Sequence, residues 1–314
     1  MKKDRFSSRL AKIGGGLLAV VLAPGSAWAC ACGCGVFDVG TSQMFPTDKG
    51  GMVFLDYDYQ DQNRNWNGSS PAPRANNNDK EIETHFATLG AQYMFNRSWG
   101  AQIEVPYDFR HFKTQTDAGN VVSRNWSQLG DIRIRGIYTG FLPDLSAGLT
   151  FGLKLPTGDY KFDPAVVDRD TQIGTGSTDI LLGGFFRHNL DQNQWWDGFA
   201  QFELDLPVLT QNQYRPGVEL DTAAGVDYER WSLGKVGISP VAQIIFSERT
   251  SDSGAASASP VASGYQRLML SPGVEFHVHP VKIYADAEFP VFQHFTGNQV
   301  AASVLYKVSV SWMF

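Results

Sequence analysis

The sequence predicts an all-β protein, an antiparallel transmembrane β-barrel of about twelve strands. Three observations predict it: the period of the apolar residues, the length of the alternating segments, and a regular alternation of long and short connections. The closing segment QVAASVLYKVSVSWMF carries the first two. Val300, Ala302, Val304, Tyr306, Val308, Val310, Trp312 and Phe314 are apolar, with Gln299, Ser303, Lys307, Ser309 and Ser311 between them. Ordinary strands run about five or six residues. Alternation sustained over 299–314 fits a strand with one face in lipid and one in a lumen.

The elements follow in chain order. Residues 1–29 hold a basic start, a short apolar run at 13–23 and an Ala27-Trp28-Ala29 cleavage pattern, which together read as a secretory signal. The run is too short to span a bilayer. Residues 30–49 form a Cys-rich N-terminal segment with no strand partner of its own, a candidate plug or periplasmic extension. The barrel proper is expected over 50–314. Alternating segments lie at 51–60, 99–112, 129–140, 197–208 and 218–230. Noisier ones lie at 82–95, 146–156, 177–189, 234–248, 264–278 and 281–289, before the closing strand. The long connections are 61–81, 113–127, 157–176, 209–217, 249–263 and 290–298. The short ones are 96–98, 141–145, 190–196, 231–233 and 279–280. Long loops outside and short periplasmic turns are the usual asymmetry of outer-membrane barrels. The Asn-, Ser-, Gly- and Pro-rich long loops read as solvated. Tyr57, Tyr59, Trp99, Trp126, Trp195, Trp196, Trp231 and Trp312 fall near strand ends, as interfacial girdles do.

Charge narrows the function. Removing the signal leaves 21 basic against 31 acidic residues, a net charge of −10, which argues against nucleic acid as a partner. The alternation places the charges on the lumen face. The acidic candidates are Asp56, Asp58, Glu104, Asp108, Asp131, Asp179, Glu203, Asp205, Glu219, Asp221, Asp227, Glu229, Glu275, Asp286 and Glu288. The basic ones are Arg110, Arg133, Arg135, Lys154, Arg187, Arg267 and Lys307. Each residue alone reads first as a partner in lumen-filling ion pairs. Their sum favours cations, because charged rings set ion preference. A twelve-stranded barrel is narrower than the open porins, so a partly plugged pore is expected.

GLKLPTGDY (152–160), GTGSTDILLGGFF (174–186) and FPVFQHFTGNQVAASVLYKVSVSWMF (289–314) resemble the bacterial outer-membrane barrel family named after the meta-pathway of phenol degradation. The resemblance spans about 50–314 and implies a transporter. It also implies that Phe314 is the signal read by the barrel assembly machinery. The motifs have a physical reading beside it. Pro156 lacks an N–H and can sit where a strand leaves its ladder, and Thr157-Gly158-Asp159 is turn chemistry. Gly183-Gly184 makes room for a bend or a close approach.

Cys30, Cys32 and Cys34 are the chain's three cysteines. An oxidised tail without a role, a soft-metal site for copper or zinc, and thiol exchange with a periplasmic thiol or metal-handling partner all fit them. No CxxCH supports haem attachment. His277 and His279 form an HxH at the periplasmic end of the tenth predicted strand and could add a ligand. A lipid-modifying barrel enzyme would need a Ser beside a His base on the outer face. His188 shares that face without a serine on its strand, though a pair across strands stays open. The expected protein is therefore a channel in outer-membrane lipid, cation-preferring and not an enzyme, with a thiol cluster at its periplasmic end. A sheath for a periplasmic redox or metal-handling protein is the alternative, and a lipid-modifying enzyme stands behind it.

Overall fold

Among the described residues, fourteen strands form one antiparallel sheet that closes on itself. The computed structural model describes residues 50–116, 118–254 and 262–314. The predicted signal and the cysteine segment lie outside the described residues. The strands are β1 (Gly50–Gly68), β2 (Ser70–Pro71), β3 (Asp79–Met94), β4 (Trp99–Gln115), β5 (Val121–Leu129), β6 (Ile132–Tyr138) and β7 (Ala147–Leu155). They continue as β8 (Ser177–Asn189), β9 (Trp196–Thr210), β10 (Glu219–Tyr228), β11 (Trp231–Leu233), β12 (Val236–Arg249), β13 (Tyr265–Val278) and β14 (Val281–Met313).

The ring runs β1, β3, β4, β6, β7, β8, β9, β10, β12, β13, β14 and back to β1. A ring with every neighbour antiparallel needs an even number of members, and this one names eleven. The 33 residues of β14 resolve the parity. Its first half pairs with β13 up to Phe295, and its second half pairs with β1 from Asn298 to Met313. The chain reverses between them at Thr296-Gly297, where Gly297 takes φ 75°. β14 thus supplies two members and the barrel has twelve. At the seam the Gly51 N–H donates to the Phe314 carbonyl at 2.7 Å and the Phe314 N–H to the Gly51 carbonyl at 2.8 Å.

The outward positions are apolar and exposed. Leu55 is 51% exposed, Leu89 58%, Ile103 41% and Phe151 46%. So continuous an apolar surface does not persist in water. On β4 the band runs from Trp99 to Phe109. Ten residues at about 3.4 Å, tilted about 40°, make it about 26 Å tall, the height of a membrane barrel's lipid belt.

The structure departs from the expected pattern in four places. The connections expected at 61–81, 113–127 and 290–298 are shorter than predicted, because β1, β4, β5 and β14 extend well past the lipid belt. The alternation of the last strand is not strict. Gln60 pairs with Leu305 and Gln62 with Ala302, so an extra residue sits at Ser303-Val304. That bulge reverses the phase, turning Val300 and Ala302 inward and leaving Ser303 exposed. Trp126 is no girdle residue; it is 9% exposed and stacks on Phe162 at 4.8 Å. Residues 157–176 are not a solvated loop: 170–174 are all buried.

Candidate solute path through the barrel

The path is built from the inward positions of the twelve members. Asp56, Asp58, Asp108, Arg110, Asp131, Arg135, Lys154, Asp179, Glu203, Asp205, Glu219, Asp221, Glu275, Asp286 and Glu288 are all buried in the lumen. Glu104, Arg133 and Arg187 face the same way and are partly buried. Asp197, Arg249 and Arg267 are buried beside them.

Pairs fill much of one side. Arg135 grips Glu203 with two parallel bonds of 2.7 and 2.8 Å and reaches Glu104 at 2.6 Å. Lys154 bridges Asp205 at 2.9 Å and Asp179. Near the short-turn end, Arg187 holds Asp197 at 2.5 Å and Glu229 at 2.6 Å. The opposite side, on β1, β13 and β14, is poorer in cations. Lys307 serves Asp56, Asp58, Asp286 and Glu288 together. Asp286 is held by donors from Ser271, Tyr284 and Gln243 at 2.6, 2.7 and 3.1 Å. Both Glu288 oxygens lack a hydrogen-bond partner among the described residues, and the side chain is fully buried.

The lumen is not uniformly polar. Phe86, Ala223, Ile245, Met269, Ala302 and Leu305 meet in one apolar layer drawn from β3, β10, β12, β13 and β14. Phe199, Val241 and Tyr284 make a second, with Phe185 against it. Sequence alternation did not reveal this layer, because it separated lumen and lipid faces by polarity and these inward residues are apolar.

Residues 156–176 fold into the mouth at the long-loop end. Val167, Thr171, Gln172 and Ile173 are between 1% and 6% exposed. Val167 and Ile173 pack on Ile82, Phe112, Trp126 and Val300, so the loop reaches from β7 across the opening to β14. Arg110 donates to the Thr171 and Gln172 carbonyls at 2.7 and 3.2 Å. Asp131 fixes both ends of the loop, accepting from the Gly158 N–H at 2.9 Å and from the Thr175 N–H and hydroxyl at 2.8 and 2.5 Å. Gly158 and Gly174 touch at this neck; a Cβ on Gly174 would lie 2.2 Å from the Gly158 carbonyl oxygen. The Arg169 guanidinium sits 4.5 Å from the Tyr160 ring and 4.3 Å from the Tyr214 ring, clamping the loop to residues 211–218. Beneath it Arg133, Lys154, Arg249, Asp205 and Glu219 line a cavity of about 30 Å³, room for about two waters. The family-like motifs at 152–160 and 174–186 are thus, in part, the hinges of a plug. The expected plug at 30–49 lies outside the described residues.

The remaining predicted residues fall at the rims. His277 and His279 stand at the short-turn end, His277 lying over Gly237 where a side chain at 237 would collide with its ring. Phe314 is 68% exposed at the same end. His188 is exposed and stacks on Phe186. A cross-strand Ser–His pair exists elsewhere: Ser69 Oγ lies 2.9 Å from His294 Nδ1, both exposed at the long-loop rim. Among the described residues nothing orients the other His294 nitrogen, so the pair lacks the third member of a nucleophile relay.

Against this geometry the chain was compared with known proteins. A family model described as "Putative MetA-pathway of phenol degradation" matches residues 57–304. The chain belongs to this family. Among solved structures it is similar to an outer membrane channel from Pseudomonas putida F1, with TM-score 0.65, 11% identity, and coverage of 88% of this chain and 100% of that one. It is also similar to the beta domain of the Bordetella autotransporter BrkA, with TM-score 0.51, 14% identity, and coverage of 85% and 100%. A search of curated proteins returns no match. At these identities the likeness establishes the outer-membrane barrel fold. The family, the all-β class and the membrane barrel expected from sequence are therefore borne out.

Proposed function

We propose that the chain is an outer-membrane channel for small solutes, closed at rest by residues 156–176 and cation-preferring when open. Both termini then lie in the periplasm, at the short-turn end. The observation that carries the preference is the buried charge: 17 buried carboxylates against 6 buried Lys and Arg among the described residues. Ion pairs neutralise the cations, and the acids left over set the lumen potential. Glu288, buried with no hydrogen-bond donor among the described residues, is the carboxyl whose loss tests the preference most directly. The two apolar layers favour cations with an apolar or aromatic body over bare metal ions.

Reversal potentials in a planar bilayer under a KCl gradient test this. With the plug loop shortened so that current flows, we expect K⁺ over Cl⁻ by at least about threefold, falling in Glu288→Gln. An anion preference would sink the charge argument. Conductance indistinguishable from bare lipid would favour the sheath reading.

Cys30, Cys32 and Cys34 extend this reading toward the periplasm as a thiol cluster for a soft metal or a thiol partner. A triple Cys→Ser variant should then lose Cu(I) or Zn(II) binding, or a trapped mixed disulfide, while its conductance is unchanged. Equal metal binding and no trapped partner in both forms would leave the cysteines an oxidised tail.

A further inference from the structure

The outer wall carries a groove that the solute path does not use. Arg64, Trp66, Arg74, Glu81 and Lys113 line it, at the tips of β1, β3 and β4, around about 750 Å³ of open space. Glu81 and Lys113 flank Ile82 and Phe112, which are buried inward, so they face outward. Phe109, 47% exposed, is the last aromatic of the lipid belt on β4. Lys113 lies four residues beyond it, about 14 Å along the strand and about 10 Å in height at a 40° tilt. That is the level of lipid headgroups, not of acyl chains.

The charge there is positive. Arg64, Arg74 and Lys113 face one acid, Glu81, which lies 3.9 Å from Lys113. Arg64 makes no side-chain hydrogen bond or ion pair among the described residues. The Arg74 Nη2 donates to the Lys80 carbonyl at 3.0 Å and leaves its other N–H groups available. Below the groove the acids are engaged: Asp61 by the Asn63 amide at 2.6 Å, and Glu83 by the Tyr59 hydroxyl at 3.2 Å and His85 at 3.5 Å. They close the lower approach to an anion and leave the upper rim as its seat.

We propose that this groove binds a phosphate of an outer-leaflet lipid, held by Arg64, Arg74 and Lys113. Guanidinium groups match phosphate oxygens in pairs, and unmatched donors around an open concavity are what such a group requires. A lipid fits better than free phosphate because the groove opens sideways, directly above exposed Tyr57, Tyr107 and Phe109, over which acyl chains would lie. The outer-leaflet assignment rests on the orientation proposed above, with the long-loop end outside.

The test is native mass spectrometry of the purified barrel in detergent with bisphosphorylated lipid A, its dephosphorylated form, and inorganic phosphate as competitor. The wild type should retain the bisphosphorylated form at least about tenfold over the dephosphorylated one, and less at high salt. The variant Arg64→Ala/Arg74→Ala/Lys113→Ala should lose that preference. Arg230→Ala/Lys235→Ala, at the opposite rim, should keep it, and heat-modifiable gel mobility should show both variants folded. Equal preference in the triple variant overturns the site. Displacement of the lipid by millimolar inorganic phosphate overturns the lipid assignment. Orientation is read separately: a Ser69→Cys barrel in intact cells should react with a membrane-impermeant maleimide. Binding without that labelling overturns the outer-leaflet assignment and marks the orientation as the part that failed.

Discussion

Replacing residues 161–173 with a short Gly-Ser link should raise single-channel conductance at least about tenfold. The loop makes no strand, so its loss leaves the closed ring of strands intact. Closure entropy changes by only about 0.6 kcal/mol per twofold change in loop length. What goes is the cover: Val167 and Ile173 leave Ile82, Phe112 and Val300, Arg110 loses two carbonyl acceptors, and the Arg169 clamp disappears. Asp131→Ala, which frees both ends of the loop at once, should give an intermediate rise. Acidity adds a sign. Burial, and then Asp170 nearby, pushes the Asp168 carboxyl in this loop up to about 7. The docked loop thus holds a proton more tightly than the released one, whose carboxyl titrates in the ordinary range near 4. Lowering the pH from about 8 to about 5 should favour docking and reduce current, and the shortened barrel should lack that response. Unchanged conductance on shortening would show that the apolar layers, not the loop, close the path.

The facing of the strands was legible because lipid and lumen sort residues by polarity with period two. By that rule Asp56, Glu104, Arg135, Lys154 and Glu288 read as inward positions, and each side chain is buried or partly buried. Where inward residues are themselves apolar the signal fails, and the layer of Phe86, Ile245, Met269 and Leu305 could not be told from lipid-facing positions. The bulge at Ser303-Val304 escaped for a related reason: a one-residue slip leaves composition unchanged and shows only in the pairing of Gln60 and Gln62 with β14. The plug was hidden by its own chemistry. Residues 157–176 carry the Gly, Pro and Asp of an exposed loop, and only long-range partners, Arg110 and Asp131, draw them inside. Asp131 was expected in the lumen, yet nothing local to it reveals that it binds backbone 27 and 44 residues away.

Arg135→Met should destabilise the barrel by about 3–5 kcal/mol, because it strands two carboxylates rather than removing one contact. Arg135 is 5% exposed at its side chain, Glu104 12% and Glu203 9%, so water cannot simply replace the guanidinium. The bond to Glu203 is bidentate and spans from β6 to β9, past β7 and β8, which makes it a strut across the lumen as well as a charge pair. The denaturant midpoint of folding into lipid vesicles should fall, and the temperature of the heat-modifiable transition with it. The triple variant Arg135→Met/Glu104→Gln/Glu203→Met should recover most of the loss, since a buried pair replaced by apolar groups of similar size is close to neutral. In the single variant the two freed carboxylates should also strengthen cation preference in the reversal potential, a change that packing damage alone would not produce. A loss below about 1 kcal/mol would mean that water reaches the pair and screens it as on a surface. The lumen at that level would then be a wet path, with its occlusion resting on the plug and the apolar layers alone.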